Sequence, residues 1–253
     1  MARRRSLRAH RTRSFGPLGP GSGPVKEVKY GRGRFLIFSM TNKYKHVIWD
    51  WNGTILDDAE LCVEIVNQLK KERGLPGLSL EEYRAVFGFP VRDYYTAAGF
   101  DFSAESFETV GKAWVEEYER RKYNCPLQKG VIEALENISS LKIGQSVLSA
   151  YSRTYLEETV AHYGLAKYFT HLYGLDTIYA TSKVALGKKL MEELGHKKGE
   201  TLLVGDTEHD FETAAAIGAD CVLIANGHQN RAKLERTGAR VLAGLEELPA
   251  VLS

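Results

Sequence analysis

Apolar runs of three or four residues recur along this chain, and each stops at a polar residue suited to a strand end. Val47-Ile48-Trp49 stops at Asp50, with Asn52-Gly53 as a turn signal just beyond. Ser146-Val147-Leu148-Ser149, Leu202-Leu203-Val204 before Gly205-Asp206, and Cys221-Val222-Leu223-Ile224 repeat the pattern. Helical spacing lies between them, as in Leu186, Leu190 and Leu194. Buried strands alternating with helices predict an α/β fold around a parallel sheet. Such sheets bind ligands outside the carboxyl ends of their strands, where Asp50, Ser149 and Asp206 fall.

The first two strands are too far apart for one crossover. A βαβ unit takes about 30 residues, whereas Asp50 and Ser149 are 99 positions apart. The excess predicts an inserted helical module. Leu61, Ile65 and Leu69 mark one amphipathic helix, and Ser79 with Glu82 makes a capping box leading into Tyr83, Val86 and Phe87. Phe107, Val110, Trp114 and Tyr118 form a further stripe, read as the module's own core. Phe89 to Tyr94 reads as a loop-like break between helices. The module is expected over residues 59–125, returning near Pro126, and the main domain over 41–58 and 126–253.

Composition narrows the class. Hydrophobic residues make up 43% of the 253 positions, enough for an ordinary packed core. No apolar run approaches the roughly 18 residues of a membrane span. Cys62, Cys125 and Cys221 are scattered without CxxC spacing. That argues against a disulfide framework or a zinc site and for a reducing, cytoplasmic setting. Charge is uneven: residues 1–40 hold ten basic residues against Glu27, a balance of +9, whereas the rest holds 24 basic against 31 acidic, −7. The acidic body argues against nucleic acid as a partner. Residues 1–40 are expected to be a disordered basic extension, and residues 1–24 carry no apolar periodicity at all. Three readings of that arm stand: an organellar presequence, an electrostatic arm for nucleic acid or anionic lipid, or an upstream extension ahead of a start at Met40.

The chemistry-bearing residues carry a family resemblance. Asp50-Trp51-Asn52-Gly53-Thr54 resembles the first motif, DxDGT, of the haloacid dehalogenase-like (HAD) phosphohydrolases. Ser149 resembles the second motif, Lys183 the third, and Gly205-Asp206-Thr207-Glu208-His209-Asp210 the fourth, GDxxxD. The resemblance spans residues 45–250 in the right order, with the helical insert in the right gap. It implies a doubly wound, Rossmann-like parallel core with a helical cap, of the phosphoglycolate phosphatase-like kind. It further implies Asp50 as a nucleophile forming an aspartyl phosphate, and Mg²⁺ held by Asp50, Asp206, the Asn52 carbonyl and Asp210. Lys183 and Ser149, with Ala150, Gly53 and Thr54, would bind the phosphoryl group, and Asp210 would orient Lys183 or a metal-bound water. Asp57, Asp58 and Asp210 also sit where a helix N-cap would.

One departure matters. The residue two after the nucleophile, an acid–base aspartate in most of these phosphatases, is Asn52. An amide has no proton to titrate. Three accounts follow: a leaving group acidic enough to depart unaided, or help from another acid such as Asp57 or Glu208; a slow enzyme; or a protein that binds a phosphorylated ligand without turnover. The resemblance favours a Mg²⁺-dependent phosphatase of a small phosphorylated metabolite such as phosphoglycolate, whose carboxylate Arg92 would read. The alternative is a catalytically weak or silent phospholigand-binding protein. Loss of the acid–base residue counts against a mutase, and the acidic 205–210 motif against a dehalogenase.

Overall fold

The computed structural model describes residues 25–30, 33–38, 42–175 and 182–252. Two units make up the chain, residues 1–41 and 42–253. In the first, Val25–Tyr30 (β1) and Gly33–Phe38 (β2) pair antiparallel, Val25 opposite Phe38 and Tyr30 opposite Gly33. These two strands, which hold Val, Tyr, Phe and Ile, residues that favour extended pairing, fall inside the stretch expected to be a disordered extension. The Arg-rich stretch 1–24 lies outside the described residues.

The second unit begins with β3 (His46–Trp49) and a helical insert: α1 (Ala59–Glu72), α2 (Leu80–Val86), α3 (Val91–Ala97) and α4 (Phe107–Arg121). After α5 (Val131–Ser140), strands and helices alternate. They run β4 (Gly144–Ser152), α6 (Arg153–His162), β5 (His171–Leu175), α7 (Lys183–Leu194) and β6 (Thr201–Gly205). Then follow α8 (Glu208–Ile217), β7 (Asp220–Ile224), α9 (Arg231–Glu235), β8 (Arg240–Leu242) and α10 (Pro249–Leu252).

Strands β3 to β8 form one parallel sheet in the order β5-β4-β3-β6-β7-β8. The chain winds outward from β3 in one direction and then returns to wind in the other, so β3 is the switch point of a doubly wound sheet. A crevice opens there between the carboxyl ends of neighbouring strands. Alternation along β3 serves both faces. Ile48 packs with Leu148, Leu203, Leu186, Leu190 and Ile217 on one side, and Val47 and Trp49 join the larger core on the other. All four expected strands form. Strands β5 and β8 escape the sequence pattern because Gly174 and His171 interrupt one and the other is three residues long.

The insert leaves and re-enters at adjacent points, where the Asp57 N–H donates to the Pro126 carbonyl at 2.9 Å. The Ser79–Glu82 capping box forms as expected, Glu82 N–H donating to Ser79 Oγ at 3.2 Å and Ser79 N–H to Glu82 Oε2 at 2.7 Å. The expected break at Phe89 to Tyr94 is shorter than its sequence suggests: α3 starts at Val91 directly behind Pro90, whose missing N–H costs nothing at a helix start. The insert's Leu61, Ile65 and Tyr118 belong to the same apolar cluster as Trp49 and Trp51.

At the amino end of β3, His46 is buried and its Nε2 meets Ser146 Oγ at 2.8 Å. Burial, with His196 and His171 nearby, lowers its pKa to about 4. Folding therefore favours the neutral ring, and this contribution is complete above about pH 6.5 and lost as pH falls toward 4. Denaturant titrations across that window are expected to lose about 3 kcal/mol from this group; a His46→Gln variant with the same acid slope as wild type would refute the assignment.

Candidate active site

Asp50 follows β3 directly and its N–H donates to the Val204 carbonyl of β6 at 2.9 Å. Lys183, the first residue of α7, reaches across the strand ends. Its Nζ lies 2.5 Å from Asp50 Oδ1 and 2.5 Å from Asp210 Oδ1, with all three side chains buried or nearly so. Asp206, at the end of β6, is fully buried; its Oδ1 accepts from Thr54 Oγ1 at 2.9 Å and its Oδ2 from the His228 N–H at 2.7 Å. One carboxylate oxygen each of Asp50, Asp206 and Asp210 lies within 4.8 Å of the others. Ser149 is buried in β4, its Oγ accepting from the Tyr151 N–H at 3.1 Å, and it lines the same cleft as Asp50, Lys183 and Ala150.

Two glycines make this closeness possible. Gly53 has φ of +77°, and a Cβ there would lie 2.3 Å from Asp206 Oδ2. At Gly205 a Cβ would lie 2.3 Å from Asp210 Cγ.

The structure places several of the expected site residues away from the cleft lining. The Thr54 hydroxyl is spent on Asp206 and the Gly53 N–H on Asp58 Oδ1 at 2.9 Å, so both shape the site and neither lines the cleft. Asp210 closes the capping box of α8, its Oδ2 accepting from Thr207 Oγ1 at 2.6 Å, while its Oδ1 holds Lys183. It is therefore cap and lysine clamp together, with both oxygens engaged. Arg92 is exposed on α3, its guanidinium 5.6 Å from the Phe102 ring centre, and it does not line the cleft. Of the acids considered as helpers, Glu208 faces Lys233 at 3.4 Å and Asp57 receives Gln128 at 3.3 Å; neither lines the cleft.

The carboxylate beside Asn52 is Asp58. Asn52 Nδ2 donates to Asp58 Oδ2 at 2.8 Å and to Tyr118 Oη at 2.6 Å, and Tyr118 in turn donates to Asp58 Oδ2 at 2.6 Å. His228 Nε2 lies 3.2 Å from Asp58 Oδ1, and its Nδ1 lies 2.9 Å from Tyr83 Oη. Although Asp58 is the N-cap residue of α1, its side chain caps nothing. Sequence reasoning missed Asp58, Tyr118 and His228 as site residues. His228 had a usable signal, since it stands just past the end of β7, where a parallel sheet puts its ligands. Arg84 of α2 pins that loop from the insert, donating to the carbonyls of Asn226 and Gly227, both at 2.8 Å.

The electrostatics are those of an anion-rich pocket. Burial and the charges of Asp210 and Asp206 push Asp50 up to about 8 against the pull of Lys183. Asp206 rises to about 6 for the same reason of burial. Burial opposes ionisation of Asp210, but Lys183 holds it below the usual carboxylate range. For His228, burial is outweighed by Asp58, which raises the imidazole to about 9. Four buried carboxylates (Asp50, Asp58, Asp206 and Asp210) thus face two cations, Lys183 and His228. With all four ionised, the surplus of two negative charges fits a divalent cation, whose oxygen-only preference matches Asp50 and Asp206.

The model of the family described as haloacid dehalogenase-like hydrolase matches residues 47–224. The chain belongs to this family. Among proteins similar to this hydrolase is a phosphoglycolate phosphatase of Rhodobacter capsulatus, 26% identical over 189 residues, covering 72% of this chain and 85% of that protein. Another is the tyrosine-protein kinase PtkA of Mycobacterium tuberculosis, 24% identical over 211 residues, covering 81% of this chain and 72% of that one. Among solved structures, a haloacid dehalogenase-like family hydrolase from Streptococcus pneumoniae superposes with a TM-score of 0.72 at 17% identity, over 83% of this chain and 99% of that one. Among the described residues, no helix of this hydrolase is long and apolar enough to cross a membrane.

Proposed function

We propose that this protein is a phosphatase that hydrolyses a small phosphomonoester through an aspartyl phosphate on Asp50. The observation that carries the reading is Lys183 clamped between Asp50 and Asp210 beside Asp206, on the strand ends of a switch-point crevice. The relative named phosphoglycolate phosphatase supports the phosphatase class.

In this scheme an Asp50 carboxylate oxygen attacks phosphorus, the phosphorus–oxygen ester bond breaks, and its electron pair leaves on the alcohol oxygen. Lys183 stays in place through Asp210 and neutralises the phosphoryl oxygens as Asp50 becomes esterified. The Ser149 hydroxyl donates to one of those oxygens. Water then attacks the aspartyl phosphate, releasing inorganic phosphate and restoring Asp50. Mg²⁺, held by Asp50, Asp206 and the Asn52 carbonyl, would supply the positive charge that two mutually repelling anions need. Without added positive charge, the raised Asp50 would keep its proton and be no nucleophile.

Hydrolysis of p-nitrophenyl phosphate and acetyl phosphate tests the reading. Both are expected to turn over with Mg²⁺, to stop with EDTA and to recover when Mg²⁺ is restored. Failure of both substrates with Mg²⁺ would leave the alternative standing: a silent phospholigand-binding protein, the reading that Asn52 motivates.

A further inference from the structure

The walls of the cleft above Asp50 bear on the leaving group. The cleft measures about 210 Å³, room for an aromatic ring, since an apolar cavity of roughly 150 Å³ accepts benzene. Its lining is dominated by aromatic side chains. One group is Trp114 stacked on Tyr118 at 4.9 Å, with the edge of Tyr151 5.9 Å from Tyr118. The other holds Phe87 against Tyr94 at 5.1 Å and Phe89 stacked on His209 at 4.6 Å. The Tyr94 hydroxyl is buried without a hydrogen-bond partner among the described residues.

Positive charge is scarce in the same walls. No arginine lines the cleft among the described residues. Lys183 is spent on Asp50 and Asp210, and His228 on Asp58. His209 is stacked on Phe89. Arg84 faces backbone carbonyls, and Arg92 lies out over Phe102. Among the described residues, a carboxylate-bearing leaving group such as glycolate would find no arginine and no lysine but Lys183 in these walls. An aromatic one would find ring faces and edges at stacking distance.

An independent observation points the same way. Asn52 cannot protonate a departing oxygen, and its amide is tied to Asp58 and Tyr118. Loss of a general acid–base group removes typically 10²–10⁴-fold in rate. The loss weighs heavily on an alkoxide leaving group and lightly on a phenoxide, whose conjugate acid has a pKa of about 10.

We infer that the substrates of this site are aryl phosphate monoesters, with the ring held in the aromatic cleft and the phenoxide leaving without protonation by the enzyme. The inference rests on the phosphatase reading above. The P–O(aryl) bond breaks as Asp50 attacks, the electron pair leaves as phenoxide, and the phenoxide takes its proton from solvent. Water completes the hydrolysis, giving a phenol and inorganic phosphate.

Three substrates on the full-length wild-type protein with Mg²⁺ separate the possibilities. Acetyl phosphate has an acidic leaving group and no ring, phenyl phosphate has a ring, and 2-phosphoglycolate is an alkyl ester with a carboxylate. Phenyl phosphate is expected to exceed 2-phosphoglycolate in kcat/KM by at least about 100-fold. A smaller ratio with acetyl phosphate still hydrolysed overturns the inference and leaves the phosphatase reading intact; silence on all three, acetyl phosphate included, overturns both. Trp114 is half-buried, so Trp114→Ala is compatible with folding. It is expected to raise KM for phenyl phosphate by about 10-fold, the loss of one good ring contact, and to affect acetyl phosphate less. An equal effect on both substrates would overturn ring recognition.

Discussion

Asp50→Asn is expected to lower phosphatase turnover by roughly 10⁴-fold or more, the scale seen when a covalent nucleophile is removed. The amide keeps the shape of the carboxylate but has no anionic oxygen to attack phosphorus. Its fold should persist: Asp50 is buried in a position that disfavours its charge, and Lys183 keeps Asp210 as a partner. The variant is therefore expected to melt no lower than wild type while showing no covalent phosphoryl adduct on acid quench. Mass spectrometry of the quenched wild-type protein should find that adduct on the peptide carrying Asp50. An adduct on any other residue, or an Asp50→Asn protein within about tenfold of wild-type turnover, would remove the proposed nucleophile.

Lys183→Met should damage stability and catalysis together. The lysine is the shared partner of two buried carboxylates, and taking away one member of a buried ion pair costs about 3–5 kcal/mol. For a folded unit of this size that corresponds to a fall in Tm on the order of 10 °C. A pH dependence follows. Without the lysine, Asp50 is pushed further above its ordinary value, so the native state binds a proton that the unfolded chain has already released. Stability of the variant must then fall as pH rises above the unfolded carboxylate value of about 4. Thermal melts at pH 6 and pH 8 check this sign: the gap between variant and wild type is expected to be wider at pH 8, and a gap that narrows would contradict the clamp. Lys183→Arg should rescue little of either property, because a planar guanidinium does not occupy a slot built for one compact ammonium between two carboxylates.

The fold was legible because its signals are local. A buried parallel strand must be apolar along its length and must end where polar groups reach solvent or ligand. Val47 to Asp50 and Leu202 to Asp206 therefore announce strands and candidate acids at once. The length of the gap before Ser149 announced the insert. Even the capping box at Ser79 and Glu82 was readable, since both partners lie three residues apart.

Partnering was less legible. Thr54 looked like a phosphate ligand and is instead a donor to Asp206, a residue 152 positions away. Asp57 and Glu208 were the acids expected to help at Asn52, and Asp58 was read only as a possible N-cap, but it is Asp58 that turns toward Asn52, because Gly53, Tyr118 and His228 all donate to its carboxylate or pair with it. Arg92 looked like the substrate's counter-ion and lies over a phenylalanine on the outside of α3. Each outcome depends on which side chains the packing brings within about 3 Å, a distance that sequence spacing does not encode.

The sequence by itself thus determined four of the six strands of the parallel sheet, the acids at their ends and the amide that replaces a titratable group at position 52. Only the tertiary structure decided what surrounds them: a lysine held by two aspartates, four buried carboxylates against two cations, and a cleft walled with rings and lined by no arginine among the described residues. Periodicity and strand ends follow from one chain's contact with water or core. The charge balance and shape of a site are sums over residues far apart in the chain, and they exist only after the chain has folded.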